Sequence, residues 1–135
     1  MSTPKGRIEL HHLYAHPPAS VWRALTTPTL HAKWWAAGDV KAEVGHRFEL
    51  DMGAFGKQPC EVTTVVPERM LAYRFSTGGL ETTITWTLTA EGKGTRLTLV
   101  HDGFDLDSPM GRRAFEGMKP GWPTVLARLE PVLVA

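Results

Sequence analysis

The chain has 135 residues, a length typical of one domain that buries a sizeable core. Fifteen Lys and Arg residues stand against fourteen Asp and Glu residues, and a net charge of +1 argues against nucleic acid or an anionic membrane as the main partner. The single cysteine, Cys60, excludes an intramolecular disulfide and a CxxC metal or redox site. No apolar run is long enough to span a bilayer and no apolar leader segment is visible, so we expect a cytoplasmic protein.

The N-terminal part of the sequence predicts one strand followed by two short helices. Residues 7–14 alternate between apolar and polar side chains, as a half-buried strand does. Pro17 and Pro18 end this strand and open a helix, because proline is pre-set for the first helical position. Thr27 and Pro28 repeat that start signal, with Thr27 as the predicted N-cap of a second helix.

From residue 47 onward the pattern changes to a period of two, which predicts an antiparallel meander. Short turns that contain glycine or proline separate the β-rich segments. Each segment has one apolar face, so we expect one side of the sheet to be covered and the other to be wet. The five predicted strands are 47–52, 60–66, 70–76, 81–90 and 95–102.

The C-terminal segment carries an apolar stripe at helical spacing, which predicts one long helix that begins after Ser108. Prolines at 120, 123 and 131 oppose this prediction, because each removes a helical hydrogen bond. At about 100° per residue, all three fall away from the stripe, where freed carbonyls reach water. We therefore favour a long, bent helix with a kink or restart near Pro120, and two shorter helices are the alternative. The stripe consists of Phe115, Met118, Trp122, Val125, Leu129 and Val132.

Four motifs, in this order along the chain, resemble the helix-grip or START-like proteins of the SRPBCC superfamily. The branch they resemble is the one named for the activator of heat-shock protein 90 ATPase, homologue-like. The motifs span nearly the whole sequence. They are the PPxxVWxAL-like segment 17–26, the tryptophan pair Trp34-Trp35, the last strand and following turn at 94–104, and the Gly121-Trp122 pair in the long helix.

The resemblance implies an α+β fold with a single START-like domain over residues 1–135. A curved antiparallel sheet of six to seven strands would wrap around the long C-terminal helix, with two short helices after the first strand. Relatives in the superfamily bind lipids, sterols or polyketides, and a few catalyse cyclisation or hydrolysis. In the chaperone activators, a separate N-terminal domain takes a major part in stimulation. Because one fold hosts several activities, it does not decide among them.

Aromatic and methionine side chains are the candidates for lining a cavity between sheet and helix. As a set they suit an apolar pocket, and Met52 and Met110 would be adaptable neighbours. The alternative is that these side chains simply fill the core, because protein interiors pack densely. The ligand-binding candidates are Trp34, Trp35, Phe48, Leu50, Tyr73, Trp86, His101, Phe104, Phe115, Met118 and Trp122.

His101 is the sharpest polar anomaly of the sequence. It shares the phase of Leu97 and Leu99, so its imidazole should point beneath the long helix in neutral form. There it would orient a ligand or act as an acid or base. The alternative is a buried histidine whose nitrogens are satisfied by protein groups. His12 on the first strand poses the same question with a weaker case.

Metal and nucleophile chemistry have little support in the sequence. His11 and His12 are adjacent in a strand and point to opposite faces, so they cannot chelate together. Cys60 has no neighbouring histidine. Arg112 and Arg113 are interpreted as a solvated helix face. We therefore predict no metal, no cofactor and no catalytic residue.

The function that these observations favour is non-enzymatic binding of a small, largely apolar molecule. A chaperone-associated or stress-response protein-interaction domain is the alternative, and a cyclase- or hydrolase-like enzyme using His101 is a weaker one. A packed interior would favour the interaction, and an open cavity would favour a ligand. The sequence leaves a monomer and a homodimer equally open.

Overall fold

The computed structural model describes residues 5–52, 56–77 and 80–134, and within them the chain forms six strands and three helices. The turn predicted at 78–79 lies outside the described residues, as does the turn predicted at 53–56 except for its last residue. In chain order the elements are β1 (Lys5–Tyr14), α1 (Pro18–Thr26), α2 (Pro28–Trp34), β2 (Arg47–Asp51), β3 (Lys57–Val66), β4 (Met70–Thr77), β5 (Leu80–Glu91), β6 (Gly94–Asp105) and α3 (Pro109–Val134).

The strands form one antiparallel sheet in the order β1-β6-β5-β4-β3-β2. Strands β2 to β6 follow one another as a meander, which confirms the prediction from alternation. The helices α1 and α2 intervene after β1, and β1 pairs with the last strand of the meander.

One face of the sheet is buried, as its period-two pattern predicts. Across β5 and β6, Ile84 pairs with His101 and Trp86 pairs with Leu99, and all four side chains are buried. The expected contiguity of these two faces is therefore confirmed. The opposite face is partly or fully exposed along both strands.

The two short helices begin at Pro18 and Pro28, where the sequence predicts them. Helix α1 buries Val21 and Leu25 against the rest of the fold. Thr27 occupies the N-cap position of α2, but its side chain makes no capping hydrogen bond. The predicted boundary is thus confirmed, although the predicted cap interaction is not formed.

Helix α3 runs without a break from Pro109 to Val134, so a restart near Pro120 and the two-helix alternative are both wrong. The prolines at 120, 123 and 131 are all exposed, as the position of the apolar stripe predicts. Carbonyls that lose a partner there reach water instead. At the start of the helix, the Ser108 Oγ accepts a hydrogen bond of 3.3 Å from the Gly111 amide.

Helix α3 packs on α1, α2, β1 and β6 and closes the buried side of the sheet. Its first turn lies so close to the end of β6 that a Cβ at Gly111 would stand 2.1 Å from the Asp105 carbonyl oxygen. Only glycine permits this approach. The architecture is an α+β helix grip. No helix among the described residues is long and apolar enough to cross a membrane.

Candidate functional site

Three tryptophans form the centre of the buried aromatic core. The ring centroids of Trp34 and Trp122 each lie 5.6 Å from that of Trp86, in edge-to-face geometry. The Trp34 indole donates a hydrogen bond of 2.9 Å to the Ala24 carbonyl oxygen, and the Trp86 indole donates one of 2.9 Å to the Tyr73 hydroxyl. The polar ends of these rings are thus satisfied, as deep burial requires.

His101 on β6 connects helix α3 to strands β5 and β4 through a chain of three hydrogen bonds. The Trp122 indole donates to His101 Nδ1 at 3.2 Å. His101 Nε2 donates to the Thr82 hydroxyl at 2.8 Å, because that hydroxyl itself donates to the Phe75 carbonyl oxygen at 2.8 Å. The directions of these bonds place the single proton of the neutral imidazole on Nε2.

The environment of His101 keeps the ring neutral. Its side chain is fully buried, and desolvation lowers its pKa from 6.5 to about 3. Both ring nitrogens already have protein partners, and the rings of Phe104 and Trp122 lie against it. This is the geometry of a satisfied buried histidine, which was the alternative interpretation of the sequence.

A cavity of about 380 Å³ lies beside this core, beneath the N-terminal half of α3. The sheet side contributes strand β3 and strand β4, and the loop after α2 contributes a tryptophan. Its lining residues are Trp35, Met52, Gln58, Phe75, Met110, Arg113, Ala114, Gly117, Met118, Gly121, Trp122 and Val125.

Small residues on α3 leave this space open. Gly117 and Gly121 lie one turn apart in the middle of the helix, and a Cβ at either position would meet no atom within 4 Å. Ala114, one turn before Gly117, also lines the cavity. Glycine inside a helix is destabilising by roughly 0.5–1 kcal/mol relative to alanine, so the open space comes at the expense of helix stability.

Aromatic and thioether side chains form most of the remaining wall. Trp35 lies 4.8 Å from Trp122 and 6.1 Å from Phe75 between ring centroids, so the three rings form one continuous surface. Met118 lines the same space and Met110 is half exposed at its edge. Such a wall adapts readily to an apolar guest.

The cavity brings together three of the eleven predicted ligand-binding residues, namely Trp35, Met118 and Trp122. The other eight belong to the apolar core and do not line this cavity. Seven of them are buried and Phe115 is partly buried. The core residues are Trp34, Phe48, Leu50, Tyr73, Trp86, His101, Phe104 and Phe115.

Several lining residues were missed by the sequence prediction. Phe75 shares the strand phase of Tyr73, so alternation alone placed it on the correct face. Gly117 and Ala114 carry no chemical signal of their own, although Ala114 lies four residues before Met118 and Gly117 lies four before Gly121. These small residues contribute only unfilled volume, so a search for functional side chains does not find them.

His31 is a second buried histidine that the sequence analysis did not single out. Its Nδ1 donates a hydrogen bond of 2.7 Å to the Ala36 carbonyl oxygen. Its Nε2 is buried and has no partner among the described residues. Desolvation lowers its pKa from 6.5 to about 4. The ring packs against Trp34 and Trp35, with centroid distances of 4.9 Å and 5.3 Å.

Groups suited to metal binding or nucleophilic catalysis do not gather in the described part of the chain. No group of three metal-ligating side chains occurs there. Burial raises the pKa of the Cys60 thiol to about 12, which leaves no thiolate at neutral pH. His12 is half-buried, stacks on Tyr14 and lies 3.7 Å from the Glu130 carboxylate.

A larger depression of about 490 Å³ lies on the outer face of the sheet and is a weaker candidate. Its wall includes Arg47, Glu61 and Arg74. The Glu61 carboxylate lies 3.8 Å and 3.9 Å from the two guanidinium groups, which makes this an ordinary charged surface. The cavity under α3 has the more apolar wall of the two, because aromatic and thioether side chains form much of it.

These features define a helix-grip protein of the START-like SRPBCC superfamily. Within it, the chain belongs to the family described as activator of Hsp90 ATPase homolog 1-like protein, whose sequence pattern matches residues 15–133. The resemblance stated from the motifs is therefore confirmed. A comparison with curated proteins gives no match.

Solved structures support the same assignment. Protein MLL2253 from Mesorhizobium loti is 36% identical, with a TM-score of 0.87 over 95% of this chain and 96% of that protein. Protein BH1534 from Bacillus halodurans is 30% identical, with a TM-score of 0.81 over 98% and 99% of the two chains. The Aha1 dimer from Colwellia psychrerythraea shares the fold at 17% identity, with a TM-score of 0.76 over 95% and 96%.

Proposed function

We propose that this protein binds a small, largely apolar molecule in the cavity beneath the N-terminal half of α3. The observation that carries the proposal is the cavity with its apolar wall, which the exposed mid-helix glycines Gly117 and Gly121 border without filling it. A helix selected only for stability would place larger residues there. The volume of about 380 Å³ lies within the range of about 300–1,000 Å³ common for ligand sites.

The hydrogen-bonded chain through His101 supports a preorganised wall. It begins at the Trp122 indole and ends at the Phe75 carbonyl oxygen, and both of these residues line the cavity. Fixing the two aromatic surfaces before binding reduces the conformational entropy lost when a ligand enters. In this proposal His101 is a positioning residue that does not touch the ligand.

Titration with phenylnaphthylamine, a neutral apolar dye that brightens in apolar surroundings, tests the proposal. The matched variants are Ala114→Leu, which places a larger side chain in the cavity, and Ala127→Leu, which makes the same change on an exposed position of α3. We expect saturable binding to the wild type and to Ala127→Leu, and at least a tenfold weaker binding to Ala114→Leu, since the filled volume excludes the dye.

The result that would contradict ligand binding is equally clear. If the dye fails to saturate the wild type, or binds Ala114→Leu as tightly as Ala127→Leu, the cavity is not its site. Far-ultraviolet circular dichroism and urea unfolding of both variants check that each one is folded before the dye affinities are compared.

A protein-interaction role is the second candidate, and family membership supports it. The test is to add the purified chain to an Hsp90 ATPase and measure turnover against a matched addition of Trp122→Ala, which should be strongly destabilised. Stimulation by the wild type alone would favour this role, and no change would count against it. The cyclase- or hydrolase-like alternative has less support, since both nitrogens of His101 already bond to protein groups.

A further inference from the structure

We propose that the ligand is an amphipathic organic anion, with its apolar body in the cavity and its acidic group at the Arg113 guanidinium; this inference rests on the proposed function. Arg113 is the one charged side chain among the cavity-lining residues that the structure describes. It is exposed, so it stands where the cavity meets solvent. Among the described residues of the lining there is no aspartate or glutamate that would repel an anion.

The guanidinium of Arg113 is uncommitted within the described part of the chain. None of the ion pairs or side-chain hydrogen bonds there involves it. Its neighbour Arg112 differs, because it donates hydrogen bonds of 3.2 Å and 3.0 Å to the Leu106 carbonyl oxygen. Both arginines are exposed, as the sequence predicts. The sequence did not predict that Arg113 also lines the cavity.

The start of α3 strengthens the attraction for a negative charge. The N-terminal end of a helix carries a partial positive charge, which acidic residues in the first turn usually balance. The first turn of α3 has no acidic residue, although Asp107 lies two residues before the helix, and Arg113 directly follows that turn. An anionic group at this end of the cavity would meet both the helix dipole and a guanidinium suited to two parallel hydrogen bonds.

The position of Arg113 on the helix also fits a ligand with two chemically different ends. On α3 the cavity-facing stripe begins at Met110 and Arg113 and continues through Gly117 to Trp122 and Val125. Polar character thus sits at one end of the stripe, near Met110, and aromatic character at the other. A molecule that follows this stripe would place its charge in water-accessible surroundings and its apolar part against the Trp122 ring.

A matched pair of dyes separates the charge from the apolar body. Anilinonaphthalene sulfonate and phenylnaphthylamine share one ring system, and only the first carries a negative group. We would measure the dissociation constants of both dyes for the wild type, Arg113→Gln and Arg128→Gln. Arg128 is exposed on the same helix outside the cavity, so its substitution changes the net charge equally.

The proposal predicts that Arg113→Gln weakens binding of the sulfonate dye by about three- to tenfold, the range of a partly exposed charge-assisted contact. Binding of the neutral dye should not change, and Arg128→Gln should leave both constants unchanged. Added salt should weaken sulfonate binding to the wild type more than to Arg113→Gln.

Four outcomes would overturn the proposal. An unchanged sulfonate constant in Arg113→Gln, or an equal loss in Arg128→Gln, would remove the role of Arg113 while neutral-dye binding kept the proposed function intact. An equal loss for both dyes in Arg113→Gln would mean that the arginine acts through its apolar stem and not its charge. If neither dye binds the wild type, the proposed function fails and this inference fails with it.

Discussion

The N-terminal half of α3 (109–121, the open half) and its C-terminal half (122–134, the packed half) both cover the buried side of the sheet, but they pack against it differently. The C-terminal half buries Trp122, Leu126 and Leu129 almost completely. The N-terminal half presents Ala114 and Gly117 over open space. One helix therefore serves as a packed core element along part of its length and as the roof of a cavity along the rest. This comparison shows that burial alone does not locate a binding site, because Trp122 and Phe75 line the cavity while equally buried aromatics such as Trp34 and Trp86 do not.

The packed half should be the more sensitive to truncation. Trp122→Ala removes a buried indole, its hydrogen bond to His101 and its contacts with Trp35 and Trp86. We expect a loss of about 3–5 kcal/mol in the free energy of unfolding, measured by urea denaturation. Met118→Ala, in the open half, should cost clearly less because Met118 is only partly buried. Equal losses would contradict the division of the helix.

The sequence predicted the packed half well and the open half poorly, for a physical reason. Alternation in the strands and the proline start signals located all six strands and the first residues of all three helices. The apolar stripe also placed the helix prolines on the exposed side. The cavity, however, depends on what Gly117 and Gly121 lack and on how far α3 stands from β4, and periodicity records neither. For the same reason, the deeply buried His101 looked like a site residue.

Acid should destabilise the packed region through its two buried histidines. Burial lowers the pKa of His101 to about 3 and that of His31 to about 4, against 6.5 for an unperturbed ring. Below pH 6.5 the two histidines take up protons in the unfolded chain but not in the folded chain. Their contribution to the free energy of unfolding is therefore fully present above about pH 6.5 and is lost as the pH decreases toward 4. Each group contributes a slope of about 1.4 kcal/mol per pH unit within that range.

The control for this pH effect is His101→Gln. Its free energy of unfolding, measured between pH 7 and pH 4.5, should decrease less steeply with falling pH than that of the wild type. The difference between the two slopes should equal the contribution of one histidine. The variant should also be less stable at pH 7, by about 1–3 kcal/mol, because the Trp122 indole or the Thr82 hydroxyl loses a well-aligned partner. Parallel pH profiles for the two proteins would show that His101 is not held neutral.

Adding a methyl group in the open half of α3 should stabilise the protein, whereas the substitutions in the packed half destabilise it. Gly117→Ala and Gly121→Ala should each raise the free energy of unfolding by about 0.5–1 kcal/mol, because alanine favours a helix and a Cβ at these positions meets no neighbour. Thermal melts of both variants measure the change. Gly111→Ala is the matched control and should be destabilising, since its Cβ would strike the Asp105 carbonyl oxygen. Destabilisation at 117 and 121 would mean that the space there is filled.

The two halves should also differ in local motion. Amide hydrogens of residues 110–118 in α3, together with the backbone near Trp35, should exchange faster than those of residues 122–133, because fewer apolar contacts hold them in place. Strands β5 and β6 should exchange slowest. Hydrogen exchange followed by mass spectrometry measures this order. Equal protection along α3 would argue against an opening at the cavity mouth.

Native mass spectrometry of the protein purified from its own cell tests ligand binding most directly. We predict a second species, heavier than the apoprotein by the mass of one small molecule, in the wild type and in Ala127→Leu. In Ala114→Leu this species should be absent, because the cavity is filled. Negative-ion analysis of the released molecule would then reveal whether it carries the acid group. A retained molecule that persists unchanged in Ala114→Leu would contradict the placement of the site under α3.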